Sequence, residues 1–178
     1  MLHKANLLFY RHGTTELNSR GILQGRIDVA LSSEGKEQAA RLANWVKTKS
    51  VIQIYSSPLI RAVESATIVS QQLGINFVLR NELIERDYGR FDGMNRESLK
   101  AERSVLGLPN DDPTQDWYNC SYVESDEAIW NRVKTLLIEL TALNQTESVL
   151  FVTHAGVIKS ILHSIFNIPY YRLLCFNP

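Results

Sequence analysis

The chain has 178 residues, 44% of them hydrophobic, with 19 Lys and Arg against 19 Asp and Glu. That length fits one domain with a full core, since a chain of about 150 residues buries roughly 70% of its unfolded surface. Balanced charge argues against nucleic acid or an acidic membrane as a partner, so an anionic ligand has to meet a local cluster of positive charge.

In chain order, the first predicted element is a strand over 5–10, where Leu7, Leu8, Phe9 and Tyr10 run straight into Arg11, His12 and Gly13. Short aliphatic or aromatic runs that stop at turn signals read as buried strands, and 51–56 and 148–153 have the same character. A helix over 34–48 puts Ala39, Leu42, Ala43 and Val46 on one face, with Trp45 at core spacing. Ser57 followed by Pro58 reads as a helix start, and Ala62, Ala66, Val69 and Leu73 form the stripe of a helix over 58–73. A further short strand is predicted over 75–79. Residues 85–123 are polar, with Asp111, Asp112 and Asp116 among them, and read as an irregular insertion over one end of the sheet. Within it, Trp117 and Tyr118 either line a substrate mouth or pack. A helix over 124–143 carries Ala128, Ile129, Val133, Leu136, Leu137 and Leu140, with Trp130 also at core spacing. The strand over 148–153 leads into a last helix over 156–166, on which His163 reads as a packed or capped residue.

This alternation predicts an α/β fold of three α/β/α layers, with a mostly parallel central sheet and helices on both faces. No repeat, low-complexity tract or linker divides the chain, so residues 1–178 are expected to form a single domain with a short cap-like insertion at 85–123. Cys120 and Cys175 make neither a disulfide framework nor a zinc signature and read as free thiols in a reducing compartment. The apolar stretch after His3 is short for a signal peptide, and no run approaches the roughly 20 apolar residues that span a bilayer. The expectation is a cytoplasmic protein with no membrane partner.

In parallel α/β sheets, ligands bind beyond the carboxyl ends of the strands. Two of the four histidines, His12 and His154, are delivered there by strands that end in glycine-containing turns. Gly13 is expected to let the first turn bring its backbone close to the ligand. Four segments are expected to converge at that edge. The first supplies Arg11, His12 and Asn18, and the second, SSPLIRA at 56–62, supplies Arg61 at a helix start. The third, LIERDYGRFDG at 83–93, supplies a carboxylate, with Glu85 favoured over Glu82 by its spacing to Gly89. The fourth, THAGV at 153–157, is a strand-to-helix turn whose spare N–H donors suit an anion.

Two arginines, two histidines and one carboxylate suit phosphoryl transfer through a phosphohistidine. A neutral imidazole is a good nucleophile near neutral pH. The transferring group spreads its charge over equatorial oxygens, so fixed cations and N–H donors supply most of the catalysis. Arginine's planar fork grips two phosphate oxygens at once. A carboxyl kept protonated by the crowding phosphate charge gives its proton to the departing alcohol. A metal hydrolase would need further ligands at H-x-H, D-x-D or HExxH-like spacing, which the sequence lacks, so no metal is expected.

The pattern R-H-G-x-T-x-x-N at 11–18 resembles the signature of the histidine phosphatase superfamily, the phosphoglycerate mutase-like group. The likeness continues through QGRIDVALSSEG at 24–35, GKEQA at 35–39, SSPLIRA at 56–62, ERDYGRFDG at 85–93, ES at 124–125 and VTHAGV at 152–157. The resemblance implies a phosphoglycerate mutase-like fold and a phosphohistidine at His12. It also implies a phosphate pocket completed by Arg11, Arg61 and His154, with Glu85 as proton donor. Asn18 matches a phosphate contact, Gln24 and Gly25 lie where substrate-side contacts are usual, and Ala155 joins that substrate-binding set. The His12 ring is expected to be oriented by a backbone carbonyl, that of Gly13. Three departures stand out: Thr14 replaces the common glutamate after R-H-G, Val123 stands where glycine often precedes the E-S pair and so detaches Ser125 from the pattern, and the chain reads CFNP where relatives continue into another strand.

The Q-G pair at 24–25, and an insertion too short to seal a site, resemble the phosphatase branches, with α-ribazole phosphatase and broad-specificity phosphatases among them. The implied activity is hydrolysis of a small phosphomonoester without metal or other cofactor, with the substrate and inorganic phosphate as the partners. Two alternatives stay open: cofactor-dependent phosphoglycerate mutase chemistry, and a non-catalytic regulator that binds phosphorylated partners through the same pocket.

Overall fold

A computed structural model describes residues 6–108, 120–139 and 147–167. Four strands, β1 (Asn6–Arg11), β2 (Val51–Ser56), β3 (Phe77–Leu79) and β4 (Ser148–Thr153), form one sheet in the order β1-β4-β2-β3. Every pairing is parallel. All six residues of β4 are buried, which fits a central strand covered on both faces. Side chains alternate across a strand, and β4 sends them to two separate cores. Leu150 and Val152 pack with Ala43, Val46, Ala62, Ala66 and Val69, whereas Val149 and Phe151 pack with Leu83 and Leu136. Phe151 stacks between Phe9 and Tyr55, with ring centroids 4.8 and 5.7 Å away.

The first core is closed by α2 (Ser33–Val46) and α3 (Ile60–Leu73), the second by α5 (Asp126–Glu139) and α6 (Ala155–Phe166). The three-layer arrangement with a parallel sheet is therefore as the strand–helix alternation predicts. A one-turn helix, α1 (Glu16–Ser19), follows β1, and Thr15 and Asn18 close it in a capping box.

Four local expectations need correction. The third helix starts at Ile60, two residues beyond Pro58: Leu59 is still extended, and the Ser57 hydroxyl accepts from the Leu59 N–H without capping the helix. Residues 85–123 are not wholly irregular, because a 3-10 turn at Gly89–Phe91 is followed by α4 (Arg96–Val105). Tyr88, Phe91 and Val123 form a small core of their own there, with Leu23, Met94 and Leu99 packed against it. Trp45 is 51% exposed, with the Lys49 ammonium over its ring. The helix expected over 124–143 is described as Asp126–Glu139. Leu140, His3, Asp111, Asp112, Asp116, Trp117, Tyr118, Cys175 and the CFNP end lie outside the described residues. No helix among the described residues is long and apolar enough to cross a membrane.

Candidate active site

Strand register sets the site. Arg11 pairs with Thr153, and Ser56 pairs with Val152, so the residues that follow each strand, His12, His154 and Ser57, leave the sheet side by side. The His12 and His154 ring centroids lie 5.1 Å apart.

His12 is held at one ring nitrogen, where Nδ1 lies 2.7 Å from the Gly13 carbonyl oxygen. A carbonyl only accepts, so Nδ1 carries the proton and Nε2 keeps its lone pair. The Arg61 Nε–H reaches that nitrogen at 3.2 Å. Burial, aided by the Arg61 charge, pushes the His12 pKa down to about 3, so the ring is neutral near pH 7. His154 is fully buried and its pKa also falls, first through burial and then through His12 and Arg61. Its Nε2 lies 2.7 Å from the Ser57 hydroxyl, and its Nδ1 is buried without a partner among the described residues.

Arg61 is 1% exposed, and its terminal nitrogens donate to the carbonyls of Ile27 and Gly25, both at 2.7 Å. These bonds fix the fork without consuming its charge on a carboxylate. Arg11, at the end of β1, has a buried Nε with no partner among the described residues. Glu85 is anchored by two backbone donors, Arg86 N–H at 2.7 Å and Gly156 N–H at 3.3 Å. A Cβ at position 156 would sit 2.4 Å from a Glu85 carboxylate oxygen, so a side chain there would displace that carboxyl. A Cβ on Gly13 would lie 2.2 Å from the Gly35 carbonyl oxygen, so this glycine lets β1's turn pack on the start of α2.

Arg11, His12, Asn18, Gln24, Gly25, Arg61, Glu85 and Ala155 all line one cavity of about 130 Å³, with Ile22, Leu23 and Tyr88 on its apolar side. The structure thus brings together eight of the nine residues singled out, with His154 directly behind His12. Asn18 and Gln24 use their amide oxygens internally, accepting from Thr15, so their NH₂ groups are what they offer a ligand. Ala155 begins α6, and the N–H of the next residue, Gly156, is the one that donates to Glu85. The rival carboxylate Glu82 is paired with Arg80 at 2.7 Å. Ser125 caps α5 through the Ala128 N–H and does not line the cavity, while Val123 fills the apolar cluster around Phe91. Thr14 is tied to Gln38 through its N–H at 2.8 Å. Among the described residues no group of three His, Cys, Asp or Glu side chains is placed to hold a metal ion.

Residue reasoning missed Ser57, which it read as a helix cap, and the buried Arg86. The Arg86 guanidinium donates to the Glu124 carbonyl at 2.7 Å and the Ser160 hydroxyl at 2.7 Å, and pairs with Asp126. This ties the Glu85 loop to α5 and α6. The signal was present in E-R at 85–86, but which arginine turns inward is decided by partners dozens of positions away.

The cavity gathers two arginines that meet no carboxylate among the described residues, an uncharged imidazole and one carboxyl. A family model described as histidine phosphatase superfamily (branch 1) matches residues 7–177. Phosphoglycerate mutase-like protein 4 of Arabidopsis thaliana is 31% identical over 88% of this chain and 69% of its own. Phosphoserine phosphatase 1 of Hydrogenobacter thermophilus is 29% identical over 87% of this chain and 73% of its own. Among solved structures, mycobacterial glucosyl-3-phosphoglycerate phosphatase in complex with VO3 superposes with a TM-score of 0.79 at 25% identity, covering 95% of this chain and 85% of that one. The chain belongs to branch 1 of the histidine phosphatase superfamily, and with it to the phosphatases.

Proposed function

We propose that the chain hydrolyses a small phosphomonoester through a covalent phosphohistidine on His12, without a metal ion. The observation that carries this reading is the His12 ring, locked through Nδ1 to Gly13 and neutral, with Nε2 in the cavity beside Arg61. On substrate binding, the Arg61 Nε–H passes from that lone pair to a phosphate oxygen, which frees Nε2 to attack phosphorus. Arg11, the Asn18 amide and the Ala155 N–H at the start of α6 take the remaining oxygens. With the Ser57 hydroxyl donating to Nε2 of His154, the His154 proton sits on Nδ1 and provides a further donor.

As the N–P bond forms, the P–O ester bond breaks, and Glu85 gives its proton to the leaving oxygen. Water then attacks the phosphohistidine and returns a proton to Glu85, and the N–P electron pair goes back to Nε2. A cytoplasmic location belongs to the same reading, supported by Cys120, which has no disulfide partner among the described residues.

The test is hydrolysis of 4-nitrophenyl phosphate in EDTA, followed by a panel of natural phosphomonoesters that includes 3-phosphoglycerate. Metal-free release of phosphate that disappears in His12→Ala is the expected result. Residual turnover within about tenfold of wild type in that variant would remove the covalent mechanism, since the nucleophile has no substitute. Isomerisation of phosphoglycerate on adding a bisphosphorylated primer would make the protein a mutase. Phosphate-dependent thermal stabilisation without any turnover would make it a binding protein.

A further inference from the structure

The backbone groups of the turn that follows His12 are all engaged. The Gly13 N–H donates to the buried Ser65 hydroxyl at 3.1 Å, and that hydroxyl donates on to the Arg61 carbonyl at 2.8 Å. The Thr14 carbonyl accepts from the Ser32 N–H at 2.9 Å and from the Ser32 hydroxyl at 3.0 Å. The peptide in between, made of the Gly13 carbonyl and the Thr14 N–H, is the one that touches the nucleophile. Its oxygen lies 2.7 Å from Nδ1 of His12, and its N–H donates to Oε1 of Gln38 at 2.8 Å.

Gln38 stands in the second turn of α2, and one orientation of its amide satisfies all its neighbours. Oε1 meets two donors, the Thr14 N–H and the Thr14 hydroxyl at 3.1 Å, while Nε2 donates to the Glu34 carboxylate at 3.3 Å. Thr14 stands where relatives commonly have glutamate, and an ionised carboxylate has no proton to give that oxygen. The hydroxyl's bond to Gln38 is therefore a property of this chain. Gly35 packs against Gly13 from one side. On another, the turn borders a cavity of about 570 Å³ whose lining includes His12, Thr14, Gln38, Leu42 and Trp45. There the bond to Gln38, and not packing, fixes the peptide.

We propose that Gln38 is a positioning residue for the nucleophile: it fixes the Gly13–Thr14 peptide, and through it the carbonyl that holds His12. This rests on the phosphohistidine reading above. The contact counts for more during the reaction than before it. While the ring is neutral, Nδ1–H meets the carbonyl as an ordinary donor. When the Nε2 lone pair becomes the N–P bond, Nδ1 keeps its proton and the ring turns positive, so the same contact becomes charge-assisted. A peptide whose N–H donates to Gln38 has a more polarised carbonyl, which strengthens the acceptor as that charge appears. An interaction that grows toward the transition state raises kcat and leaves ground-state binding alone.

The test compares Gln38→Met, which removes the acceptor for the Thr14 N–H, with Gln38→Glu, which keeps it. On 4-nitrophenyl phosphate, Gln38→Met should lower kcat about 10- to 100-fold and leave the inhibition constant of inorganic phosphate within about threefold. Gln38→Glu should keep kcat within about fivefold of wild type. Proton NMR of the imidazole N–H groups adds a second reading, with the His12 signal assigned by its loss in His12→Ala. The Nδ1 proton should move upfield in Gln38→Met and stay downfield in Gln38→Glu. An unchanged kcat in Gln38→Met, an equal loss in both variants, or a loss confined to phosphate binding overturns the proposal. The NMR reading needs no turnover, so the two readings can fail separately. An upfield shift in Gln38→Met of a protein without activity keeps the link to Gln38 and removes the phosphatase. Full activity of Gln38→Met, with the proton in place, does the reverse.

Discussion

His12 and Glu85 are both anchored by backbone groups: a carbonyl on one ring nitrogen, and two N–H donors on one carboxylate. Backbone anchors leave the working atoms facing the cavity and cost little side-chain entropy, which is why both residues follow immediately on rigid elements or tight turns. The roles assigned to them differ in how they answer to substrate chemistry. An attack on phosphorus is needed for every ester, whereas a proton is needed only when the leaving oxygen is basic. Glu85→Gln preserves the shape and the acceptor for the Arg86 N–H but removes the proton, so turnover of an alkyl phosphate should fall about 10²–10⁴-fold. With 4-nitrophenol as leaving group, the loss should be much smaller. Rates measured on both esters decide it, and an equal loss would exclude Glu85 as the donor.

At the scale of elements, the sheet was readable because its strands are continuous apolar runs, and the site was readable because each of its segments sits where such a run ends. The helix α4 was not readable in this way. Its sequence RESLKAERSV offers only Leu99, Ala101 and the exposed Val105 as apolar members, so no stripe stands out. The legible marks were an Asn95 cap, Glu97 in the first turn and Arg103 in the last. Trp45 misled in the opposite sense, since core spacing on α2 identifies a face but not how wide the covering layer is. The link through Arg86 was out of reach because it joins three elements: the Glu85 loop, Asp126 at the start of α5, and Ser160 on α6. Arg86 is fully buried, so its charge depends on that company. Removing Asp126 by substitution with Ala should cost about 3 kcal/mol, the low end for breaking a buried pair, because the Glu124 carbonyl and Ser160 hydroxyl remain. Urea unfolding gives the number, and a loss below about 1 kcal/mol would mean that the pair is solvated in solution.

For the whole molecule, an uncharged imidazole at the centre has a consequence in acid. An unfolded chain takes up a proton at position 12 as the pH drops through the ordinary histidine value of 6.5, while the folded chain refuses it until about 3. Between those values the unfolded state binds more protons, so stability falls as the pH falls, by up to about 1.4 kcal/mol per unit for each such histidine. His154, lowered for the same reason, adds with the same sign. Asp92 works the other way. Burial raises its carboxyl from 3.8 to about 6, so in that interval the folded state takes the proton first and gains stability on acidification. A bare pH profile therefore mixes opposing contributions, and the comparison that isolates His12 is wild type against His12→Asn. Whatever the absolute difference in unfolding free energy at pH 7.5, wild type should lose about 2 kcal/mol relative to the variant by pH 5, measured by urea unfolding at both values. A difference that stays constant over that range would mean that His12 takes up its proton in the folded protein near its ordinary pKa, and attack by a neutral imidazole would lose its basis.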